Sequence, residues 1–168
     1  MKQGFILCSN HRSLSDPIIL SICTKQKIFF MAKSELFDNH GVVFSFLIRS
    51  LGAFPVHRNS ADKNSLREAE HILKQNGVIG IFPQGKIVRY CENLKIKSGV
   101  SLLALSAQVP VIPTAIIYDG ALRPFKKITV RFGKPIMPPN LSVSDKNTRY
   151  KQMTALICSQ MENLLFSK

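Results

Sequence analysis

The chain has 168 residues, 45% hydrophobic and 20% charged, a balance that fits one globular domain with a real core and excludes a disordered segment. Its charge is uneven: 23 Lys and Arg against 10 Asp and Glu give a formal +13, which suits phosphate-bearing partners such as anionic lipid, a phosphorylated small molecule or nucleic acid. The four cysteines, Cys8, Cys23, Cys91 and Cys158, are scattered without a Cys-x-x-Cys pair, so neither a zinc site nor a disulfide framework is indicated and a reducing, cytosolic compartment fits best.

In chain order, "GFILCS" (4–9) reads as a buried strand and "PIILSICTKQ" as a helix with Pro17 at its first position. "KIFFMAK" (27–33) is a second strand, and "SELFDNHG" a short turn-rich or helical connection. "VVFSFLIRSLGAF" (42–54) is apolar on nearly all sides, so it is expected to be buried or to lie against lipid. "PVHRNSADK" reads as a loop and "NSLREAEHILKQNG" as an amphipathic helix with Leu66, Ala69, Ile72 and Leu73 on one face, stopped by Asn76-Gly77. "VIGIF" (78–82) is a strand, followed by the polar loop "PQGKIVRYCENLKIKSG". "VSLLALSAQ" is a helix, "VPVIPTAIIY" a strand interrupted by prolines, and "KKITVRFG" a hairpin partner or edge strand. After the spacer "KPIMPPN", a helix over about 144–165 carries Tyr150, Met153, Ile157, Met161 and Leu164 on a stripe expected to be core.

Strands alternating with helical patterns predict a single α/β domain with a mixed, mostly parallel central sheet flanked by helices. Polar segments at 10–16, 55–60 and 83–89 follow or flank apolar strands, where such sheets gather their binding loops. In "NHRSLSD", His11 and Asp16 would lie about 140° apart on a regular helix, so they meet only if the chain between them turns. A neutral imidazole is then a competent base, with the carboxylate fixing its tautomer. The plainer alternative makes Asp16 the N-cap of the helix that Pro17 opens. His40, His57 and His71 lie outside that segment and read as structural. No apolar run approaches the ~20 residues of a membrane-crossing helix, so any membrane contact is expected to be peripheral.

Four segments together resemble the blocks of the glycerolipid acyltransferase family, whose best-known members are 1-acyl-glycerol-3-phosphate (lysophosphatidic acid) acyltransferases. Asn10, His11 and Asp16 match Asn-His-x-x-x-x-Asp. Gly52, Phe54 and Arg58 follow the second block, Gly-x-x-Phe-x-x-Arg, with a one-residue offset. Phe82, Pro83 and Gly85 match Phe-Pro-Glu-Gly-Thr-Arg, and Val109, Pro110 and Pro113 match the Val-Pro-x-x-Pro run. The third block departs from the family: Gln84 replaces Glu, and Lys86-Ile87 replace Thr-Arg. Gln keeps hydrogen-bonding capacity but loses a charge, and the missing arginine removes a bidentate phosphate contact that Lys86 or Arg89 could replace with different geometry.

The resemblance implies acyl transfer from acyl-carrier protein or coenzyme A, as co-substrate rather than resident cofactor, to a lysophospholipid hydroxyl. His11 would be the general base, Asp16 its orienter, and Arg58, Gln84, Gly85, Lys86 and Arg89 would bind substrate. Backbone amides near the first block or Gly85 are the expected oxyanion donors. No metal and no covalent intermediate are expected, although Cys8 is the one cysteine weighed as an acylated nucleophile. The expected setting is the cytoplasmic face of an anionic membrane, approached from the side. The family usually carries a hydrophobic segment ahead of its first block, whereas here that block begins at residue 10. The competing expectation is a non-catalytic basic module binding anionic membrane or RNA. The chain lacks an RNA-binding signature such as Lys/Arg-Gly-Phe-x-Phe, which disfavours nucleic acid.

Overall fold

The computed structural model describes residues 3–24, 26–38, 41–50, 52–56, 63–88, 94–120, 127–139 and 145–167. Along these the elements run β1 (Phe5–Ser9), α1 (Asp16–Cys23), β2 (Ile28–Lys33), α2 (Glu35–Asp38), α3 (Gly41–Ser50) and β3 (Ala53–Val56). They continue with α4 (Lys63–Lys74), β4 (Val78–Ile81), α5 (Gly99–Ala107), β5 (Val111–Tyr118), β6 (Ile128–Phe132) and α6 (Lys146–Phe166). The strands form one α/β sheet in the order β3-β2-β4-β1-β5-β6. All neighbours are parallel except β6, which runs antiparallel to β5 from Thr114↔Phe132 to Tyr118↔Ile128.

The unbroken apolar sequence of β1 follows from its central place, because a parallel strand covered on both faces has no solvent side. Ile6 and Cys8 face one core with α4, α5 and α6, while Phe5 and Leu7 face a second core closed by Leu20 of α1. The α6 stripe packs as expected: Met153, Ile157 and Met161 are fully buried. Asp145 caps that helix, its carboxylate accepting from the Asn147 and Thr148 amides at 3.0 and 3.2 Å. Ala69, Ile72 and Leu73 bury the apolar face of α4, and Asn76 adopts a left-handed φ of 61° at its end.

Three expectations change. The apolar stretch 42–54 is two elements, with a break at Gly52, where φ is +85°. The Gly52 amide donates to the Arg49 carbonyl at 2.9 Å, its carbonyl accepts from the Phe30 amide at 3.0 Å, and a Cβ there would lie 2.4 Å from the Ile28 oxygen. Only glycine combines that φ with that approach, so it ends α3 and starts β3. Nor is α3 buried all round, since Val42 and Phe46 are 86% and 73% exposed. Pro55 and Val56 belong to β3 rather than to a loop. Finally, Pro113 does not interrupt β5. Its carbonyl accepts from the Gly133 amide at 2.7 Å just past the last β6 rung, where a missing N–H breaks no ladder bond.

Candidate active site

Sheet topology brings the conspicuous loops together. β1 leads through α1 to β2, while β4, its neighbour, leads through α5 to β5 on the opposite face. Adjacent strands whose connections diverge open a crevice at their carboxyl ends. Into it come residues 10–15 after β1, 82–88 after β4, and Tyr118 at the end of β5.

Asn10 anchors the first loop by imitating a strand residue. Its side-chain amide donates to the Ile116 carbonyl at 2.9 Å, and its oxygen accepts from the Ile116 amide at 2.7 Å. The ladder between β1 and β5 is thereby extended by a side chain, and the backbone is freed to turn. That turn is tightened by Ser13 and Ser15, whose hydroxyls lie 2.8 Å apart, and by the Asp16 amide donating to the Ser13 carbonyl at 3.2 Å.

The turn brings His11 and Asp16 into contact. His11 Nδ1 lies 2.8 Å from Asp16 Oδ2, and the same oxygen accepts from the Arg12 and Ser13 amides at 2.6 and 2.8 Å. Asp16 Oδ1 accepts from the Tyr118 hydroxyl. The carboxylate is fully buried, and these donors replace the water it has lost. As a carboxylate can only accept, Nδ1 carries the imidazole proton and Nε2 is left as a base, with the His11 side chain 17% exposed. The N-cap expectation for Asp16 is corrected: Ser15 holds that place without a side-chain bond, and Asp16 reaches back into the loop instead of forward along α1.

The segment after β4 fixes His11 from the other side. Gln84 Oε1 accepts from the His11 amide at 3.2 Å, and the His11 carbonyl accepts from the Val88 amide at 2.8 Å. The imidazole stacks on Phe82 with centroids 4.2 Å apart, and Phe82 stacks on Phe30 at 5.8 Å. Gly85, with φ +71°, closes the tight turn through its amide bond to the Phe82 carbonyl at 3.0 Å. Gln84 is therefore tied to the histidine's backbone, a bond a glutamate could also accept, so its replacement of Glu does not remove this contact. Lys86 is exposed beside this turn. Arg58 and Arg89, the other expected phosphate ligands, lie outside the described residues, as do His40 and His57.

The expected oxyanion donors are backbone amides near the first block and Gly85. The amides of His11, Arg12, Ser13, Gly85 and Val88 all donate to groups of the chain itself. Cys8 is no nucleophile: it is wholly buried on the α6 side, its thiol contacts Met161 sulfur at 3.5 Å, and burial pushes its pKa far up.

Tyr118 went unnoticed in the sequence. It is 102 positions from Asp16, and an aromatic residue ending a strand carries no local signal. Burial first, and then its bond to Asp16, push its pKa up to about 12, so it remains a neutral donor. Arg12 lies over its ring at 5.3 Å. Among the described residues no three His, Cys, Asp or Glu side chains cluster as a metal site requires, and no helix is long and apolar enough to cross a membrane.

The chain is similar to known proteins. The family model described as acyltransferase matches residues 1–117. A 1-acyl-sn-glycerol-3-phosphate acyltransferase of Streptococcus pneumoniae is 33% identical over 141 residues, covering 80% of this chain but 50% of that protein. One of Bacillus subtilis is 29% identical over 168 residues, covering 96% of this chain and 81% of that protein. The chain thus spans half the length of the pneumococcal relative. The crystal structure of the 1-acyl-sn-glycerophosphate (LPA) acyltransferase PlsC from Thermotoga maritima superposes with a TM-score of 0.67 at 27% identity, covering all of this chain and 70% of that one. With the family model matching well over half its length, this chain belongs to the acyltransferase family.

Proposed function

We propose that this protein transfers a fatty acyl group from a thioester, acyl-coenzyme A or acyl-carrier protein, to the free hydroxyl of 1-acyl-glycerol-3-phosphate. The observation that carries the proposal is the contact of 2.8 Å between His11 Nδ1 and a buried Asp16, which leaves Nε2 able to take a proton. The names of the relatives from S. pneumoniae and B. subtilis support the choice of acceptor.

In the proposed step Nε2 removes the acceptor's hydroxyl proton as that oxygen attacks the thioester carbonyl. The new C–O bond forms, the C–S bond breaks, and the proton passes from the imidazolium to the departing thiolate. Asp16 holds the ring in the required tautomer and stabilises its charged form. The thioester is a co-substrate rather than a resident cofactor. Lys86, with Arg58 and Arg89, supplies positive charge for the acceptor phosphate. The net charge of +13 supports peripheral work at an anionic, cytoplasmic membrane face, where both substrates are negatively charged.

The test is thiol release from a long-chain acyl thioester, with and without 1-acyl-glycerol-3-phosphate, for wild type and His11→Ala. Release that needs both the acceptor and His11 is expected, and general-base assistance sets the loss at ~10²–10⁴-fold. Release that needs His11 but ignores this acceptor would assign another hydroxyl. No release from either donor, with vesicle binding retained, would leave only a basic binding module.

A further inference from the structure

Asp16 Oδ2 is fixed by three donors from its own loop, whereas Oδ1 is reached by a residue of a distant strand. A carboxylate held through one oxygen can still swing about its Cβ–Cγ bond, and with it the imidazole that follows Oδ2. Holding both oxygens stops that motion. From this we infer that Tyr118 is a positioning residue for acyl transfer: its hydroxyl locks Asp16, and through Asp16 sets the orientation of His11.

The surroundings of Tyr118 suit that task. Its ring is part of the buried cluster with Leu7, Leu20 and Ile116, so the hydroxyl is delivered from packed β-structure rather than from a mobile loop. Ile116, two residues earlier on β5, is the partner of Asn10. One strand end therefore fixes both ends of the segment carrying His11: Asn10 through the backbone of Ile116 and Asp16 through the side chain of Tyr118. His11 from the loop and Tyr118 from β5 are the titratable side chains bonded to the carboxylate, and the Arg12 guanidinium lies over the Tyr118 ring. The phenol stays neutral beyond the working pH range, since its pKa is pushed up to about 12, so this lock does not open near neutrality. The inference rests on the acyl-transfer reading for its effect on rate, but the geometry of the lock does not.

Tyr118→Phe removes the hydroxyl and keeps the ring. We expect kcat to fall about tenfold, in line with one lost hydrogen bond to a charged group, with KM within about twofold of wild type. The second readout is the far-downfield proton resonance of His11 Nδ1–H in the resting protein, assigned by its absence from His11→Ala. Tyr118→Phe should broaden or shift it. If that variant does not fold, replacing the three tyrosines with 3-fluorotyrosine keeps the hydroxyl, makes it a stronger donor, and should move the same resonance. An unmoved resonance overturns the inference, as does an unchanged kcat in an enzyme whose wild type turns over. If the wild type shows no turnover at all, the acyl-transfer reading fails, and the resonance alone decides whether Tyr118 sets His11.

Discussion

At the scale of single residues, the two members of the dyad play unequal structural parts. His11 is partly exposed and contributes a stacked ring, while Asp16 is buried and receives three hydrogen bonds besides the one from His11. Removing Asp16 leaves two backbone amides and a hydroxyl facing a void, each costing about 1–3 kcal/mol if nothing else satisfies it. Asp16→Ala should therefore lower both activity and stability, the latter by about 3 kcal/mol or more, visible as an earlier denaturant midpoint. His11→Ala should cut turnover ~10²–10⁴-fold while losing only about 1 kcal/mol of stability. Equal midpoints for the two variants would show that Asp16 is not the keystone of its loop. The sequence exposes the dyad through its resemblance to the family's Asn-His-x-x-x-x-Asp block, since the spacing alone fits a helix cap as well. It conceals Tyr118 and the bond between Gln84 and the His11 amide, because each acts across strands that are adjacent only in the folded sheet. Gln84 lies beside His11 in space yet 73 positions away in sequence, so its bond to the His11 amide leaves no local signal.

At the scale of elements, periodicity serves best where burial is one-sided. Ala69, Ile72 and Leu73 of α4, and the Met153–Ile157–Met161 stripe of α6, are legible because their other faces are polar. The stretch 42–54 is not, because an apolar run gives no period, and Gly52 alone marks where the helix becomes a strand. Gly80 of β4 shows how an element shapes chemistry from beneath. A Cβ there would come within 2.4 Å of the Phe30 ring, which stacks on Phe82, on which His11 lies. The glycine thus makes room for a column of three rings ending in the imidazole. Gly80→Ala should push Phe30 aside, destabilise the fold by about 1–3 kcal/mol, and lower kcat although the residue touches no substrate. A kcat equal to wild type in folded Gly80→Ala would show that the stacked column does not govern His11.

At the scale of the whole molecule, the two layers flanking the sheet differ. Steps from β1 to β2 and from β2 to β3 proceed in the same direction, so right-handed crossovers place α1, α2 and α3 on one face, and α4 and α5 on the other. The α4–α6 layer carries Glu68, Glu70 and Glu162 and exposes Leu102, Leu156 and Phe166, while α2 of the other layer carries Glu35 and Asp38. The α1–α3 layer exposes Leu14, Ile18 and Ile22 at four-residue steps, with Val42 and Phe46 on α3. Ile128 and Phe132 of β6 are also exposed, on the face where Val130 packs against the α1 core. The proposed peripheral association has a side to use, and it is the side from which α1 carries Asp16. Each of Ile18, Ile22 and Phe46 would add about 1.5 kcal/mol on leaving water, so converting all three to Ser should weaken binding to anionic vesicles by about 10³-fold where all three insert and by about tenfold where only one does. Since these side chains already face solvent, the melting temperature should hold. Electrostatic attraction from the +13 charge adds to this and is screened, so binding of either protein should decline severalfold between about 0.05 and 0.5 M salt. Sedimentation with vesicles separates the contributions. A loss on mutation that persists at high salt marks the α1–α3 layer as the side that meets lipid. Equal binding by the triple variant and wild type at every salt would leave charge as the sole attraction and remove that layer from the account.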